Sequence, residues 1–295
     1  MHVLVTGAAG LIGSHVMVAL LDQGHTILAT DINPLPPNVK DQIADRSERV
    51  QEMTGDLTNV KFIDELFDST RIPFDGVMHI GGVRSPVGLD PRLVHNINVV
   101  ATYNVLQTAA SRGITRIVQA SSCNALGLSW TSAEHWRLDS VPINEQSPMR
   151  PEDPYSLSKL ICEEQAAAIH RYYPEVRIAS IRMHFTRSSV NETTSSVKHT
   201  GLWSWSSVDA VLRACILALT SDGWTGAEAF HIAADEIFYP ASMSNGVKVP
   251  ALELLEKHWP DRVKNVDKSW WEGNPRRSFF DTSKAQRVLG WSHDL

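Results

Sequence analysis

Short apolar runs alternate with longer amphipathic stretches through the first 180 residues of the chain. Each run is four to six residues long and rich in Val, Ile, Leu, Ala or Met, as in strands that are buried on both faces. The stretches between the runs are long enough for crossover helices. The pattern predicts strands at 2–6, 26–30, 50–54, 75–80, 115–120 and 176–181, and helices at 11–23, 58–68, 92–112 and 155–173.

This alternation predicts an α/β fold, a doubly wound parallel sheet of the Rossmann type with right-handed crossovers, over residues 1–182. The pattern weakens beyond that point. We expect residues 183–295 to form a small C-terminal substrate-binding cap that is interwoven with the first domain. Within it the sequence predicts helices at 206–220, 250–258 and 282–289, and a strand at 228–232.

Two segments interrupt the rhythm of the first domain. Residues 33–47 contain several prolines and are typical of a surface loop. Residues 124–154 are too long for a plain connection, and a loop of that length at the carboxyl end of a strand is usually functional. With Trp130 and Trp136, this second segment could close over a small substrate.

The turn after the first strand is rich in glycine. Its glycines form a GxxGxxG pattern that follows an apolar strand and opens an amphipathic helix. Glycine allows a tight turn and a close approach to a pyrophosphate, and the helix N-terminus offers unpaired N–H groups to the anion. We therefore expect a dinucleotide to bind at Gly7, Gly10, Leu11, Ile12 and Gly13. The alternative is an ordinary glycine turn in an α/β protein.

A carboxylate ends the second predicted strand, 18 residues after the last of these glycines. Asp31 at this place would accept hydrogen bonds from the adenosine ribose hydroxyls and would repel a 2′-phosphate. The next residues, Ile32, Asn33 and Pro34, supply no arginine to hold such a phosphate. The sequence therefore favours NAD over NADP as the cofactor.

A tyrosine and a lysine lie four residues apart at the start of the helix predicted at 155–173. On a helix, Tyr155 and Lys159 share one face about one turn apart. We expect the cationic lysine to lower the pKa of the neighbouring phenol, which could then exchange a proton at neutral pH. A serine at the end of the fifth strand, Ser121 or Ser122, could hold the substrate oxygen.

Composition narrows the classes of partner. The net charge of −6 and pI near 6.0 give no basic surface for nucleic acid or an anionic membrane. No apolar run reaches the roughly 18 residues of a spanning helix, and the first residues predict a strand rather than a signal peptide. The cysteines and histidines show no disulfide framework and no metal-ligand spacing. We expect a cytoplasmic protein without metal, nucleic-acid or membrane partners.

The glycine pattern, the serines at a strand end and the Tyr-x-x-x-Lys pair together resemble the extended short-chain dehydrogenase/reductase family, in its NAD-dependent epimerase/dehydratase branch. The resemblance runs from residue 2 to about 182 and returns in a Leu-Gly-Trp tail at 289–291. It implies that Tyr155 is the catalytic acid and base, and that Lys159 assists it and holds the nicotinamide ribose.

The resemblance extends to residues around these groups. It makes Ser122 the substrate-binding serine and Asn98 a helix residue that supports the active site. The alternatives are a strand-end turn for Ser122 and hydrogen bonding to local backbone for Asn98. It also implies cofactor contacts for Asp56, Leu57, Ile80, Gly81 and Gly82.

Two departures from the family pattern bear on the chemistry. Family dehydratases and decarboxylases carry a carboxylate just after the active serine, whereas this chain has Cys123 and Asn124, which disfavours elimination. Many nucleotide-sugar enzymes follow the sixth strand with Arg-Tyr-Phe-Asn-Pro, but this chain reads Arg-Met-His-Phe-Thr at 182–186. The asparagine that contacts the sugar diphosphate is missing, and the next segment offers only Arg187 and Lys198 as cations.

These features predict an NAD-dependent oxidoreductase acting on a secondary alcohol or ketone of a sugar-like or other small oxygenated substrate, and they resemble the family's uronate dehydrogenases. One alternative is a nucleotide-sugar epimerase with retained NAD, which the late pair Arg276 and Arg277 would favour. Another is a non-catalytic dinucleotide-sensing regulator. The resemblance also implies a homodimer through helices 92–112 and 155–173, which could equally pack on the sheet.

Overall fold

A seven-stranded parallel sheet forms the centre of the computed structural model, which describes residues 1–188, 199–238 and 248–294. Numbered along the chain, the strands are β1 (His2–Thr6), β2 (Thr26–Asp31), β3 (Val50–Thr54), β4 (Gly76–His79), β5 (Arg116–Ser122), β6 (Leu138–Val141), β7 (Arg177–Met183), β8 (Phe185–Arg187), β9 (Trp205–Ser207), β10 (Ala227–Ile232) and β11 (Val263–Val266). The strand order in the sheet is β10-β7-β5-β4-β1-β2-β3. The doubly wound parallel sheet is confirmed.

Helices connect the strands on both faces of this sheet. They are α1 (Leu11–Asp22), α2 (Pro37–Gln42), α3 (Val60–Asp68), α4 (Pro91–Ser111), α5 (Pro154–Tyr172), α6 (Val208–Thr220), α7 (Ala251–His258) and α8 (Ser283–Leu289). The predicted strands and helices of the first 182 residues are confirmed, with ends that shift by one or two residues. In the described ranges, no helix combines the length and the apolar character that crossing a bilayer requires.

Each face of the sheet carries its own apolar core. On one face α1, α6 and α8 bury side chains such as Met17, Val211 and Leu289. On the other face α3, α4 and α5 do so with side chains such as Leu66 and Val105. Because α6, α8 and β10 all come from beyond residue 182, the second segment completes the sheet layers, and the domain division at that residue stays a prediction.

A third apolar cluster builds the cap above the sheet. It joins the segment 124–154 to the C-terminal segment, with Trp136 stacked on Trp259 at 4.1 Å between ring centroids. Strand β6, which lies inside that predicted loop, pairs in parallel with β11 and ties the two segments together. Trp136 is therefore a core residue, and the expectation that it closes over substrate is wrong.

Two predictions about where helices begin are wrong, and the residues at the helix starts explain why. The predicted loop 33–47 contains α2, because Pro37 stands at the first helical position, where its fixed φ is favourable and its missing N–H costs nothing. The helix predicted from residue 206 begins only at 208. There the side chain of Ser207 accepts a hydrogen bond from the Ala210 N–H at 3.0 Å, while residues 205–207 form β9.

Candidate active site

The carboxyl ends of the central strands open into a cavity of about 800 Å³. Ligands of open parallel sheets bind at this edge, where the strand order reverses. All predicted site residues except Asn98 line the cavity. They are Gly7, Gly10, Leu11, Ile12, Gly13, Asp31, Asp56, Leu57, Ile80, Gly81, Gly82, Ser122, Tyr155 and Lys159.

The glycine turn between β1 and α1 leaves no room for side chains. Gly7 has a φ of +69°, and a Cβ there would lie 2.6 Å from the backbone nitrogen of Gly81. A Cβ on Gly13 would lie 2.0 Å from the carbonyl oxygen of Gly7. The first N–H groups of α1, beginning at Leu11, have no partner within the helix. A tight turn that opens a helix at the cavity wall fits the pyrophosphate of a dinucleotide.

Asp31 at the end of β2 is tied to this turn. Its carboxylate accepts hydrogen bonds from the N–H groups of Ala9 and Asn33, both at 3.1 Å. These bonds hold the carboxylate at the cavity wall, where an adenosine ribose would bring its hydroxyls. The residue is thus placed for the selection of NAD that the sequence predicts.

We expect the protein to bind NAD roughly 100-fold more tightly than NADP, a difference of about 2.7 kcal/mol, because a 2′-phosphate would face the Asp31 carboxylate. Asp31→Asn keeps the shape and removes the charge, so it should narrow this preference mainly by improving NADP binding. Calorimetric titration of both dinucleotides measures the effect. Asp41→Asn, on the exposed helix α2, is the control, and equal affinities in the unmodified protein would contradict the assignment.

Helix α5 presents the tyrosine and the lysine from its first two turns. Its N-cap Asp153 accepts hydrogen bonds from the N–H of Tyr155 at 3.0 Å and from the N–H of Ser156 at 2.9 Å. Lys159 donates from Nζ to the carbonyl oxygen of Ala120 at 2.7 Å, and its Nζ lies 5.9 Å from the centre of the Tyr155 ring. Both side chains are buried and line the same cavity, so they share one face of the helix, as the four-residue spacing predicts.

The electrostatics of this pair differ from the expectation. Burial raises the pKa of Tyr155 to about 12, although a hydrogen bond with Ser122 opposes the shift. Burial also lowers the pKa of Lys159. We expected the lysine to lower the pKa of the phenol, but that pKa is raised, because burial is the largest influence on it. Tyr155 therefore holds its proton at neutral pH and is poised to donate it.

Ser122 and Asn98 hold the surroundings of this pair in place. Ser122 Oγ accepts a hydrogen bond from the Asn124 N–H at 3.1 Å, so it caps a strand-end turn while also contacting Tyr155. Asn98 lies behind the wall and binds the backbone of Val83, accepting from its N–H at 2.7 Å and donating to its carbonyl at 3.0 Å. It also donates to Ser158 Oγ at 2.9 Å, so it connects α5 to the loop after β4.

The histidine of the segment at 79–82 has a role that the sequence did not indicate. His79 is buried between the hydroxyls of Thr6 and Thr102, at 2.8 and 3.1 Å. Burial lowers its pKa to about 3, so it is neutral. Thr6 Oγ1 in turn accepts a hydrogen bond from the Gly81 N–H at 3.1 Å. This histidine positions the glycine segment and does not contact the cavity.

Three of the candidate diphosphate-binding cations lie in the described part of the chain, and none of the three lines the cavity. Arg276 donates to the carbonyls of Val249 and Ile237, and Arg277 donates to the carbonyl of Trp270. The guanidinium of the buried Arg187 lies over the rings of Phe185 and Phe238. Lys198 lies outside the described residues. Among the residues described at the wall, the arginine and lysine side chains are Arg84, which the sequence analysis missed, and Lys159.

Curated proteins that match the chain include UDP-glucose 4-epimerases. One from Cyamopsis tetragonoloba is 33% identical over 195 residues, covering 61% of this chain and 50% of that protein. One from Bacillus subtilis (strain 168) is 30% identical over 193 residues, covering 62% of this chain and 52% of that protein. The chain thus spans about half the length of the curated relatives it matches.

Solved structures match the whole chain at low identity. The UDP-Glc/GlcNAc 4-epimerase of Campylobacter jejuni has a TM-score of 0.71 at 20% identity, covering 100% of this chain and 94% of that one. A mutated uronate dehydrogenase has a TM-score of 0.67 at 20% identity, covering 100% and 82%. These similarities show the shared fold. The sequence profile of the NAD dependent epimerase/dehydratase family matches residues 3–200. The chain therefore belongs to this family of enzymes, whose cofactor is NAD.

Proposed function

We propose that the protein transfers a hydride at a secondary alcohol or ketone of a small sugar-like substrate through Ser122, Tyr155 and Lys159. One observation carries the proposal. Ser122, Tyr155 and Lys159 line the same cavity as the glycine turn, and the Ser122 hydroxyl is near enough to the Tyr155 phenol to lower its pKa. Proton transfer and cofactor binding would thus take place in one enclosed space.

Each of the three side chains has a role in the proposed reaction. Oxidation of a secondary alcohol removes a hydride from its carbon and a proton from its hydroxyl, and the product is a ketone. NAD, when bound, supplies the hydride chemistry. In reduction Tyr155 donates its phenol proton to the substrate oxygen, and in oxidation it must first lose that proton before it takes up the one from the substrate hydroxyl. Ser122 holds the reacting oxygen, and Lys159, fixed by the Ala120 carbonyl, stabilises the phenolate.

The charge of the residues that the cap contributes to the cavity wall favours a small substrate. A diphosphate needs several cations or hydrogen-bond donors around it. The described residues that the cap contributes to the wall are neutral, among them Trp130, Phe185 and Ser204. Arg276 and Arg277 are held by backbone carbonyls elsewhere. A sugar acid, free sugar or polyol fits such a wall better than a nucleotide-diphosphate sugar does.

The second candidate function is that of a nucleotide-sugar epimerase with retained NAD. The curated relatives that are named as UDP-glucose 4-epimerases favour it. The same three side chains would serve it, since epimerisation oxidises and then reduces one carbon. The two functions differ in whether NADH accumulates.

A substrate panel tests these proposals. We expect turnover with at least one uronic acid, free sugar or sugar alcohol, seen as NADH absorbance at saturating NAD, and none with UDP-, GDP- or dTDP-sugars. Product analysis of the same mixtures detects epimerisation, which gives no net NADH. Tyr155→Phe protein serves as the blank. Turnover of a nucleotide sugar alone would favour the epimerase instead.

A homodimer stays a proposal. Helices α4 and α5 expose apolar side chains, namely Leu93, Val100, Tyr103 and Leu157, in addition to those that pack on the sheet. Exposed apolar groups on two adjacent helices suit a helix-to-helix interface. These four side chains support the assembly that the resemblance implies.

A further inference from the structure

A row of buried polar side chains runs from the sheet to the wall of the cavity. Arg182 in β7, His231 in β10, His184 between β7 and β8, and Ser204 just before β9 are all less than 6% exposed. His184 and Ser204 line the cavity, whereas Arg182 and His231 lie behind it. None of them belongs to the proton-transfer group described above. Buried polar groups of this kind are normally fully hydrogen-bonded, so the direction of each bond can be worked out.

Arg182 decides which partner donates in each hydrogen bond of the row. Its guanidinium has five N–H donors and no acceptor, so any group bonded to it must accept. Its Nε and Nη2 donate to the two carboxylate oxygens of Glu163 at 2.9 and 2.7 Å. Nη2 also donates to Met149 Sδ at 3.2 Å. Nη1 donates to the Glu145 carbonyl at 3.4 Å and to His231 Nε2 at 3.3 Å. All five donors are used, and His231 Nε2 must be an acceptor.

Both histidines of the row are neutral. Burial and the nearby Arg182 lower the pKa of His184 to about 3, and they lower that of His231 well below its usual value. His184 and Lys284 lower the pKa of His231 further, while the backbone of Asn144, the smallest influence, raises it. A neutral imidazole carries one N–H. Since His231 Nε2 accepts, its proton is on Nδ1.

The remaining bonds follow from that proton. His231 Nδ1 lies 3.3 Å from His184 Nε2 and donates to it, so the proton of His184 is on Nδ1. His184 Nδ1 lies 2.7 Å from Ser204 Oγ and donates to it in turn. If Ser204 instead donated to His184 and His184 donated to His231, the proton of His231 would be on Nε2. That N–H would then face an N–H of Arg182, with no acceptor between them. Ser204 Oγ therefore accepts a hydrogen bond from His184, and its own O–H remains available as a donor. In the described part of the chain no side chain or carbonyl accepts from that O–H.

We infer that Ser204 is a substrate-binding residue, whose hydroxyl donates a hydrogen bond to an acceptor oxygen of the substrate. The inference rests on the proposed function for the identity of that ligand. Arg182 and the two histidines are positioning residues that fix which way the hydroxyl points. A carbonyl or carboxylate oxygen of a sugar acid suits this donor, because such an oxygen brings no proton of its own.

The first test reads the protons directly and needs no substrate. Long-range proton–nitrogen correlation spectra of the uniformly ¹⁵N-labelled protein show which ring nitrogen of each neutral histidine is protonated. We expect Nδ1 protonation in both His184 and His231, with signals assigned through His184→Gln and His231→Gln proteins. Protonation of His184 at Nε2 would overturn the inference, since Ser204 would then donate to the imidazole.

The second test compares two serines with D-glucuronate as the probe. Ser204→Ala should raise the KM for D-glucuronate about 10-fold and change kcat less than about 3-fold, while the NAD dissociation constant stays the same. Ser206→Ala, which removes a buried hydroxyl that does not line the cavity, should change none of these values.

The outcomes of the two tests separate the two proposals. An unchanged KM in Ser204→Ala protein would overturn the role of Ser204 and leave the proposed function standing. Absence of turnover by the unmodified protein with D-glucuronate and with every other small compound of the panel would count against the proposed function. The histidine spectra would still decide the direction of the chain of bonds in that case.

Discussion

Replacing Tyr155 with phenylalanine is expected to lower kcat about 10³-fold, within the range of roughly 10² to 10⁴ that a positioned acid and base contributes. The change removes one hydroxyl, the proton carrier beside Ser122, and leaves the buried ring in place. NAD affinity should stay within about 2-fold, because the glycine turn and Asp31 are untouched. Single-turnover kinetics on the substrate found by the panel, with calorimetry for NAD, measure both quantities.

The matched control is Tyr172→Phe, which removes a phenol hydroxyl from the exposed end of the same helix. It should leave kcat and NAD affinity unchanged. Lys159→Ala should damage both, since this lysine lies beside the tyrosine and lines the same cavity as the glycine turn. If Tyr155→Phe protein kept more than about a tenth of its activity, another group would have to carry the proton.

Gly13→Ala is expected to weaken NAD binding at least about 100-fold and to destabilise the fold by about 1–3 kcal/mol. The added methyl would lie 2.0 Å from the Gly7 carbonyl oxygen and 2.7 Å from its carbon. Backbone atoms cannot turn aside as a flexible side chain can, so the turn must open and its N–H groups must move. NAD titration and thermal unfolding in the absence of NAD measure the two effects.

Gly223→Ala serves as the control for that substitution. Its Cβ would meet no atom within 4 Å, and its φ is not in the left-handed region. We expect it to change neither NAD affinity nor the melting temperature. NAD binding by Gly13→Ala protein at the affinity of the unmodified protein would show that the pyrophosphate does not rest on this turn.

Much of the sheet could be predicted because its signals are local. The inner strands of the sheet are buried on both faces and are mostly apolar, which makes them visible as runs. Asp31 and Tyr155 could be located for the same reason, since a strand end and a helix start bring them to the ligand-binding edge. The glycine turn is local too, because Gly7 and Gly13 meet within a few residues of chain.

The rest depends on contacts between distant segments. Strand β6 has only four residues, and it pairs with β11, which lies more than 120 residues further along the chain. The pKa of Tyr155 follows from burial, which no spacing of residues reveals. The row from Arg182 to Ser204 exists only because β7 and β10 are neighbours in the sheet. Single residues such as His184 give no sign of such a partnership in the sequence.

The position of β10 has a consequence for the newly made chain. Strand β7 is buried along almost its whole length and pairs with β5 on one side and β10 on the other. Until residues 227–232 have left the ribosome, one row of its backbone N–H and C=O groups has no strand to bind. An apolar edge of this kind invites pairing with another chain. The last strand of the sheet therefore covers this edge only when synthesis has passed residue 232, and we expect a protein cut after residue 182 to keep the edge open and to aggregate.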